Sequence, residues 1–412
     1  MKILKNTMLF SLERLLRTGL SFLVSVMITK TYGIEIYGEY AYYFAIVNIF
    51  GVALSLGLDD YFIKCAAEGN KLSIRLLHFR IVLSCVAFLI CCLILYWKNA
   101  KIDFWIISLL SLTYIWNCFY LLLIVIDRVD KYKSVILLTC LSLLFLLLKF
   151  LVLNAGFAFF MGVTLLEAIV VTIFLYYSIK NLFDKVYICF SDIKNIFKLS
   201  IPVGISSLSV MLFYRVDQMI VEHYLGVKVL GVYALSASMI LAAGYLQSSY
   251  VTGMYSKIGY AKNNGSKLDL DRAVLKAYRG AIYIGLFLYL GYLTIGRFAV
   301  NIIFPEISVE LISLLNIGML SILFSGLAAI NSQYLFFLNY SNKRLTRTLI
   351  SLLVNIVWNI FFIPKYGVIA AIWGYVITQV IMGVLFNIFD KLTRDLLFLQ
   401  LKALFILRED KI

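Results

Sequence analysis

From Val229 to Ser256, and again from Leu311 to Asn342, the chain carries no charged residue. A helix needs about 20 mainly apolar residues to cross a bilayer. Counting these two, runs of this kind lie near residues 7–30, 39–63, 79–97, 104–126, 134–153, 157–179, 200–223, 229–256, 278–296, 311–338, 348–363 and 367–389. Of the 412 residues, 63% are hydrophobic and 14% charged, against roughly 25% charged in a soluble domain. A water-soluble fold of this length would run out of polar residues to cover its surface. The expected fold class is therefore an all-α polytopic membrane protein with 12 transmembrane helices.

The charge balance supports that reading. A net charge of +15 invites a nucleic-acid partner, but the lysines and arginines fall in short connectors without interleaved stacking aromatics. No nucleic acid is expected. With the N-terminus inside, 27 lysines and arginines fall on cytoplasmic segments. Only six are external: Lys30, Lys98, Lys101, Lys228, Arg297 and Lys365. That bias places both termini in the cytoplasm and leaves only short external connectors. The first run contains Glu13, Arg14 and Arg17 and no small-residue cleavage site, so it reads as a retained span rather than a signal peptide. Seven cysteines, an odd number without metal-ligand spacing, read as packing residues. No metal and no cofactor is expected.

An internal repeat organises the spans. Gly33-Ile-Glu-Ile-Tyr-Gly38-Glu-Tyr40-Ala41 follows the first, and Gly226-Val-Lys-Val-Leu-Gly231-Val-Tyr233-Ala234 follows the seventh. Both read G-x-x-x-x-G-x-Y-A at the same place in the topology. Glycine supplies the tight turn, and the tyrosine ring suits headgroup depth. Six spans separate the copies, so the halves share one orientation about an axis along the membrane normal. The expected organisation is an N-lobe at 1–180, a basic cytoplasmic linker at 181–198, a C-lobe at 199–390 and a cytoplasmic tail at 391–412. Two six-helix lobes of this kind would enclose a central cavity.

Charges at membrane depth are costly and mark pathways or buried pairs. Arg14 and Arg17 share one face of span 1 at i,i+3. Arg17 lies roughly 24 Å along the helix before the Gly33 turn, and Arg215 roughly 17 Å before Gly226. Together they suggest a cationic lumen that attracts phosphate or acidic sugar. Internal pairing is the bland alternative: Glu13 with Arg17, and Arg215 with Glu167 or Asp217. Arg14 and Lys149 could also snorkel to headgroups. Asp59 and Asp60 close span 2 and could simply cap it. Substrate contact is thus assigned to Arg14, Arg17, Lys149 and Arg215; coupling to an ion, or charge neutralisation, to Asp59, Glu167 and Asp217.

Enzyme chemistry finds no foothold. His78 and His223 lie near membrane edges, and no H-E-x-x-H, G-x-S-x-G or G-x-x-x-x-G-K-[ST] pattern occurs. No catalytic residue is assigned. Most of the 28 tyrosines and 31 phenylalanines suit membrane belts, although Tyr42, Tyr43, Tyr214 and Tyr250 could stack on sugar rings. Pro202 is expected in the first turn of span 7, and Pro364 at the end of span 11.

The run from Tyr214 to Ala234, which contains Arg215, Asp217 and the second repeat, resembles the seventh-helix signature of bacterial polysaccharide exporters. These are O-antigen and capsule flippases (Wzx type) of the multidrug/oligosaccharidyl-lipid/polysaccharide (MOP) superfamily. Tyr32–Ala41 resembles their first external turn, and Phe362-Ile-Pro364-Lys-Tyr-Gly367 their turn between helices 11 and 12. The resemblance covers nearly the whole chain and implies a fold like that of the multidrug (MATE) exporters. It also implies an inner-membrane protein that flips an undecaprenyl-diphosphate-linked oligosaccharide to the periplasmic leaflet by alternating access. Arg14, Arg17 and Arg215 would meet the diphosphate or acidic sugars. Membrane lipids, a polysaccharide polymerase and a chain-length regulator are the implied partners. The rival classes are a cation-coupled multidrug antiporter and, further off, a membrane-embedded polymerase or acyltransferase.

Overall fold

The computed structural model describes residues 2–67, 72–115, 119, 131–180, 183–184, 190–338 and 340–404. The protein is all-α, apart from a two-residue parallel ladder. Among the described residues, eight helices are long and apolar enough to cross a membrane, and two shorter apolar helices cover Trp105–Tyr114 and Ile136–Leu151. With no water inside a bilayer, a helix is the conformation that satisfies every backbone amide within its own segment, which is why these apolar runs wind as they do.

Two compact units divide the chain. One is Val26–Met219; the other joins Met1–Ser25 to Ile220–Ile412. The division falls inside helices 1 and 7 of the repeat. In the Val26–Met219 unit the helices are α1 (Lys2–Tyr32, shared), α2 (Ile34–Ala53), α3 (Leu58–Ala67) and α4 (Ile74–Trp97). They continue with α5 (Trp105–Leu109), α6 (Lys131–Leu151), α7 (Phe157–Ile179) and α8 (Phe190–Leu225, shared). Strand β1 (Leu72–Ser73) pairs with β2 (Phe183–Asp184).

The second span was expected as one helix over 39–63 but is broken after Ala53. Leu56 and Gly57 adopt positive φ of 50° and 74°, and the chain restarts as α3. The reason lies in packing. Gly57 and Gly204 of α8 meet backbone to backbone, and a Cβ on Gly57 would stand 2.0 Å from the Ser200 carbonyl oxygen. Only a residue without a side chain, free to take positive φ, permits that approach. The polar stretch expected as linker is also partly helical, because α8 starts at Phe190. Pro202 therefore lies in the helix interior rather than in its first turn, where it withholds one backbone donor.

The other unit holds α9 (Val227–Asn264) and α10 (Lys267–Gly291), which continues through a π-helical turn at Tyr292–Gly296 into α11 (Arg297–Ile303). It goes on with α12 (Ser308–Gly318), α13 (Leu320–Phe337), α14 (Ser341–Tyr366) and α15 (Val368–Val380). A second π-helical turn, Ile381–Leu385, leads to α16 (Phe386–Phe389), and α17 (Arg394–Leu404) closes the described chain. Residues 394–404, read from sequence as tail, thus form a helix. Leu396, Leu399 and Ala403 recur at helical spacing and enter a core with Val274, Tyr278 and Ile330.

The repeat is visible in the backbone. Gly33 and Gly226 both cap their following helices, with φ/ψ of 92°/165° and 81°/174°. Each donates its N–H to the carbonyl four residues back, and each carbonyl accepts from the amide four residues on. The repeat tyrosines depart from the belt expectation: Tyr233 is only 1% exposed and fills the helix core, and Tyr40 stacks on Phe44 with ring centroids 5.5 Å apart.

Where α9 turns into α10, Ser266 and Asp269 form a reciprocal cap. The Ser266 hydroxyl accepts from the Asp269 amide, and the Asp269 carboxylate accepts from the Ser266 amide at 2.9 Å. These bonds, the one from the Ser266 backbone first, hold the Asp269 carboxyl below its ordinary carboxylate range. A lowered pKa means the cap stabilises above the ordinary value and is lost as pH falls through the lowered one. The protection factors of the Ser266 and Asp269 amides, corrected for the intrinsic exchange rate at each pH, should fall on acidification, and in Ser266→Ala that of Asp269 should already be low at neutral pH.

Gly57→Ala should lower the thermal unfolding midpoint in detergent far more than Gly33→Ala. Both need positive φ, worth about 1–3 kcal/mol, but only Gly57 also meets backbone. Equal shifts for the two would contradict the backbone contact.

Candidate functional site

Among the described residues the polar interior holds three buried ion pairs and Arg215, whose described neighbours include no carboxylate. In the Val26–Met219 unit, the Lys149 ammonium of α6 donates to the Glu167 carboxylate of α7 at 2.5 Å. Lys149 is 5% exposed, so it does not reach headgroups as a snorkelling lysine would. The helices are joined at Gly156, which takes φ 117°, so that turn returns α7 alongside α6 and aligns the pair. Glu167 was weighed as a partner for Arg215; the structure gives it to Lys149.

Arg215 sits on α8 in the same unit. Its guanidinium lies 5.7 Å from the centre of the Phe44 ring on α2 and donates to the Gln218 side-chain oxygen at 3.4 Å. Among the described residues no carboxylate stands within ion-pair distance of it. The Tyr40 phenol, one turn before Phe44, is within electrostatic reach of both Arg215 and Glu167. The structure therefore brings Tyr40, Phe44, Lys149, Glu167 and Arg215 into one neighbourhood, contributed by α2, α6, α7 and α8. Asp217 points elsewhere, as its two-residue offset from Arg215 requires. It is buried, and its carboxylate accepts from the Gln218 amide at 2.7 Å.

Asp59, the third acid singled out, is a structural partner. Its carboxylate takes a two-pronged bond from Arg80 of α4, at 2.9 and 3.3 Å, while Arg80 also donates to Ser84. Arg80 is 1% exposed and was counted in the sequence as a topology charge. Nothing in the spacing of residues 59 and 80 announced the pair. It forms because the break at Gly57 turns α3 toward α4.

In the other unit Arg17 is half-buried on α1 and is not a free charge. The side chains of Glu13, Arg14 and Asp60 lie outside the described residues. The third buried pair was missed by sequence reading. Arg347 of α14 donates to Asp390 at 3.1 Å and to Thr393 at 2.7 Å, and Lys343 holds the same carboxylate at 3.0 Å. Beside it a network of neutral groups ties four helices together. The Tyr278 hydroxyl donates to the Asn331 side-chain oxygen, and both Asn331 and Gln400 donate to the Gly383 carbonyl at 2.8 and 2.9 Å. The π-helical turn at Ile381–Leu385 shifts the backbone pairing and leaves that carbonyl available.

A family described as polysaccharide biosynthesis protein matches residues 3–255, more than half of the chain. The chain belongs to the polysaccharide biosynthesis protein family. No match is found among curated proteins. Solved structures place the fold of this family member. A lipid II flippase, MurJ, in an inward closed conformation superposes with TM-score 0.71 at 16% identity, over 96% of this chain and 91% of that one. An inward-facing multidrug resistance MATE family transporter of the MOP superfamily gives TM-score 0.70 at 14% identity, over 95% and 96%. A MOP superfamily transporter from Pyrococcus furiosus gives 0.57 at 14% identity, over 96% of both chains. At such identities the likeness concerns the fold alone, that of a multi-pass all-α membrane protein.

Removing one member of a buried pair leaves an unpaired ion, at a cost of about 3–5 kcal/mol, while removing both can be nearly neutral. Lys149→Met and Glu167→Leu should each destabilise the protein strongly, and the double variant should recover most of the loss. A double variant as unstable as the sum of the two would mean that the pair is not the buried unit described here.

Proposed function

We propose that the protein moves an undecaprenyl-diphosphate-linked oligosaccharide, an O-antigen or similar repeat unit, from the cytoplasmic to the periplasmic leaflet of the bacterial inner membrane. Two six-helix lobes would alternate access, with both termini in the cytoplasm as the lysine and arginine bias requires. The observation that carries this reading is Arg215. A cation at membrane depth whose described partners are a ring face and an amide oxygen retains most of its capacity for an anion. A diphosphate or an acidic sugar supplies that anion. Tyr40 and Phe44 beside it offer aromatic surface to a sugar ring.

Membership of a polysaccharide biosynthesis family and a fold shared with a lipid II flippase support this cargo over a small drug. Within the site the roles divide. Arg215, Arg17 and Arg14 would meet the anionic cargo, and Lys149 stays on Glu167 until an anion competes for it. Asp217 remains the acid for ion coupling, whereas Asp59 neutralises Arg80. A polymerase and a chain-length regulator would receive the cargo outside.

A cation-coupled multidrug antiporter is the second reading, favoured by the acids Glu167 and Asp217 at membrane depth and by the MATE fold. The two are separated by deleting the gene and complementing with wild type, Arg17→Ala and Arg215→Ala. Loss of surface polysaccharide with internal accumulation of lipid-linked repeat units is expected for the deletion, and Arg215→Ala should restore export by less than a tenth. Normal surface polysaccharide in the deletion, together with lost drug efflux under a cation gradient, would replace the flippase reading with the antiporter one.

A further inference from the structure

We propose a second, separate anion site in the unit that contains the C-terminal half: a pocket between α13 and α14 that binds the phosphate of a membrane lipid. Its polar wall is Arg344, Arg347, Ser332 and Thr348, and its apolar wall includes Leu335 and Phe386. The pocket is a narrow cleft, open at its mouth, where Arg344 is exposed and Arg347 is buried at its base.

The charge balance there is uneven. Lys343, Arg344 and Arg347 stand in the first two turns of α14, a helix with no acidic residue in its first turn. Cations at a helix N-terminus oppose the helix dipole, so three of them raise an already positive potential. Among the described residues Asp390 is the one carboxylate bonded to this group, and it is shared by Lys343 and Arg347. Arg344 is left with the face of Phe336, 6.0 Å from its guanidinium carbon. An anion in the pocket would complete the neutralisation, with Arg347 oriented for it by its bonds to Asn387 and Thr393.

The surroundings favour a lipid over a soluble anion. Phe336 and Tyr340 are exposed at the mouth, and Ile350, Leu353 and Val357 continue an exposed apolar stripe down the same helix. In a membrane-spanning helix that stripe faces acyl chains, while the arginines lie at the end where headgroups sit. The site needs only a lipid phosphate, which an abundant anionic lipid or a polyprenyl carrier supplies alike.

The test uses the full-length protein in detergent, delipidated and offered phosphatidylglycerol, phosphatidylcholine, a polyprenyl phosphate or inorganic phosphate, with retention read by native mass spectrometry and stability by thermal unfolding. Wild type should retain phosphatidylglycerol or polyprenyl phosphate over phosphatidylcholine, and Arg344→Gln, a surface change that leaves the Arg347–Asp390 pair intact, should weaken that retention about fivefold. Preference for the first lipid assigns the site to bulk anionic lipid; preference for the second assigns it to the polyprenyl carrier. Retention unchanged in Arg344→Gln overturns the proposal. So does stabilisation by inorganic phosphate equal to that by either lipid.

Discussion

An ion moved from water into hydrocarbon loses several kcal/mol of solvation, and a protein in a bilayer recovers that only through a partner of opposite charge or through water. The interior of this protein is arranged around that requirement. Lys149 and Glu167 bind α6 to α7, Asp59 and Arg80 bind α3 to α4, and Asp390 gathers Lys343 and Arg347 of α14. The first two pairs join separate helices and the third joins α14 to the turn between α16 and α17, so each electrostatic partner also fixes how those segments lie. Against that background Arg215 meets a phenylalanine face and an amide oxygen and, among the described residues, no carboxylate.

The same demand applies to the uncharged backbone. Where a helix departs from regular winding, a side chain fills the vacancy: Asn331 and Gln400 meet the Gly383 carbonyl in the π-helical turn. Gln400 comes from α17, so the last described helix is joined to the core by hydrogen bonds as well as by its leucines. Gln400 Oε1 is the one buried atom of this network without a partner among the described residues, and the bonds that are made favour one packing of α10, α13, α17 and the π-helical turn. Glycine serves the complementary purpose at 57 and 204, where two backbones touch and no side chain fits.

Much of this was legible before any coordinates. Most of the apolar runs are helical where the chain is described, the run over 39–63 being broken at Leu54–Gly57, and the two G-x-x-x-x-G-x-Y-A turns share one backbone conformation. Lys149, Glu167 and Arg215 stand out from sequence because charge inside an apolar run has few innocent explanations. Other features carry a weaker signal: Leu396, Leu399 and Ala403 recur at helical spacing in what reads as a tail. Some left none. Arg80 is indistinguishable from a connector charge until Asp59 is seen beside it, and Pro202 looks like an N-terminal proline until the helix is found to begin at Phe190.

By itself the sequence determined the solvent, the element type and the repeat, because these follow from local composition: how apolar a run is, how long, and where its glycines fall. Tertiary structure alone decided which charge meets which. Glu167 lies nearer in sequence to Lys149 than to Arg215, but membrane helices pack by three-dimensional fit, and either pairing would neutralise it. The choice of Lys149 leaves Arg215 without a carboxylate among the described residues, and no count of residues along the chain contains that outcome.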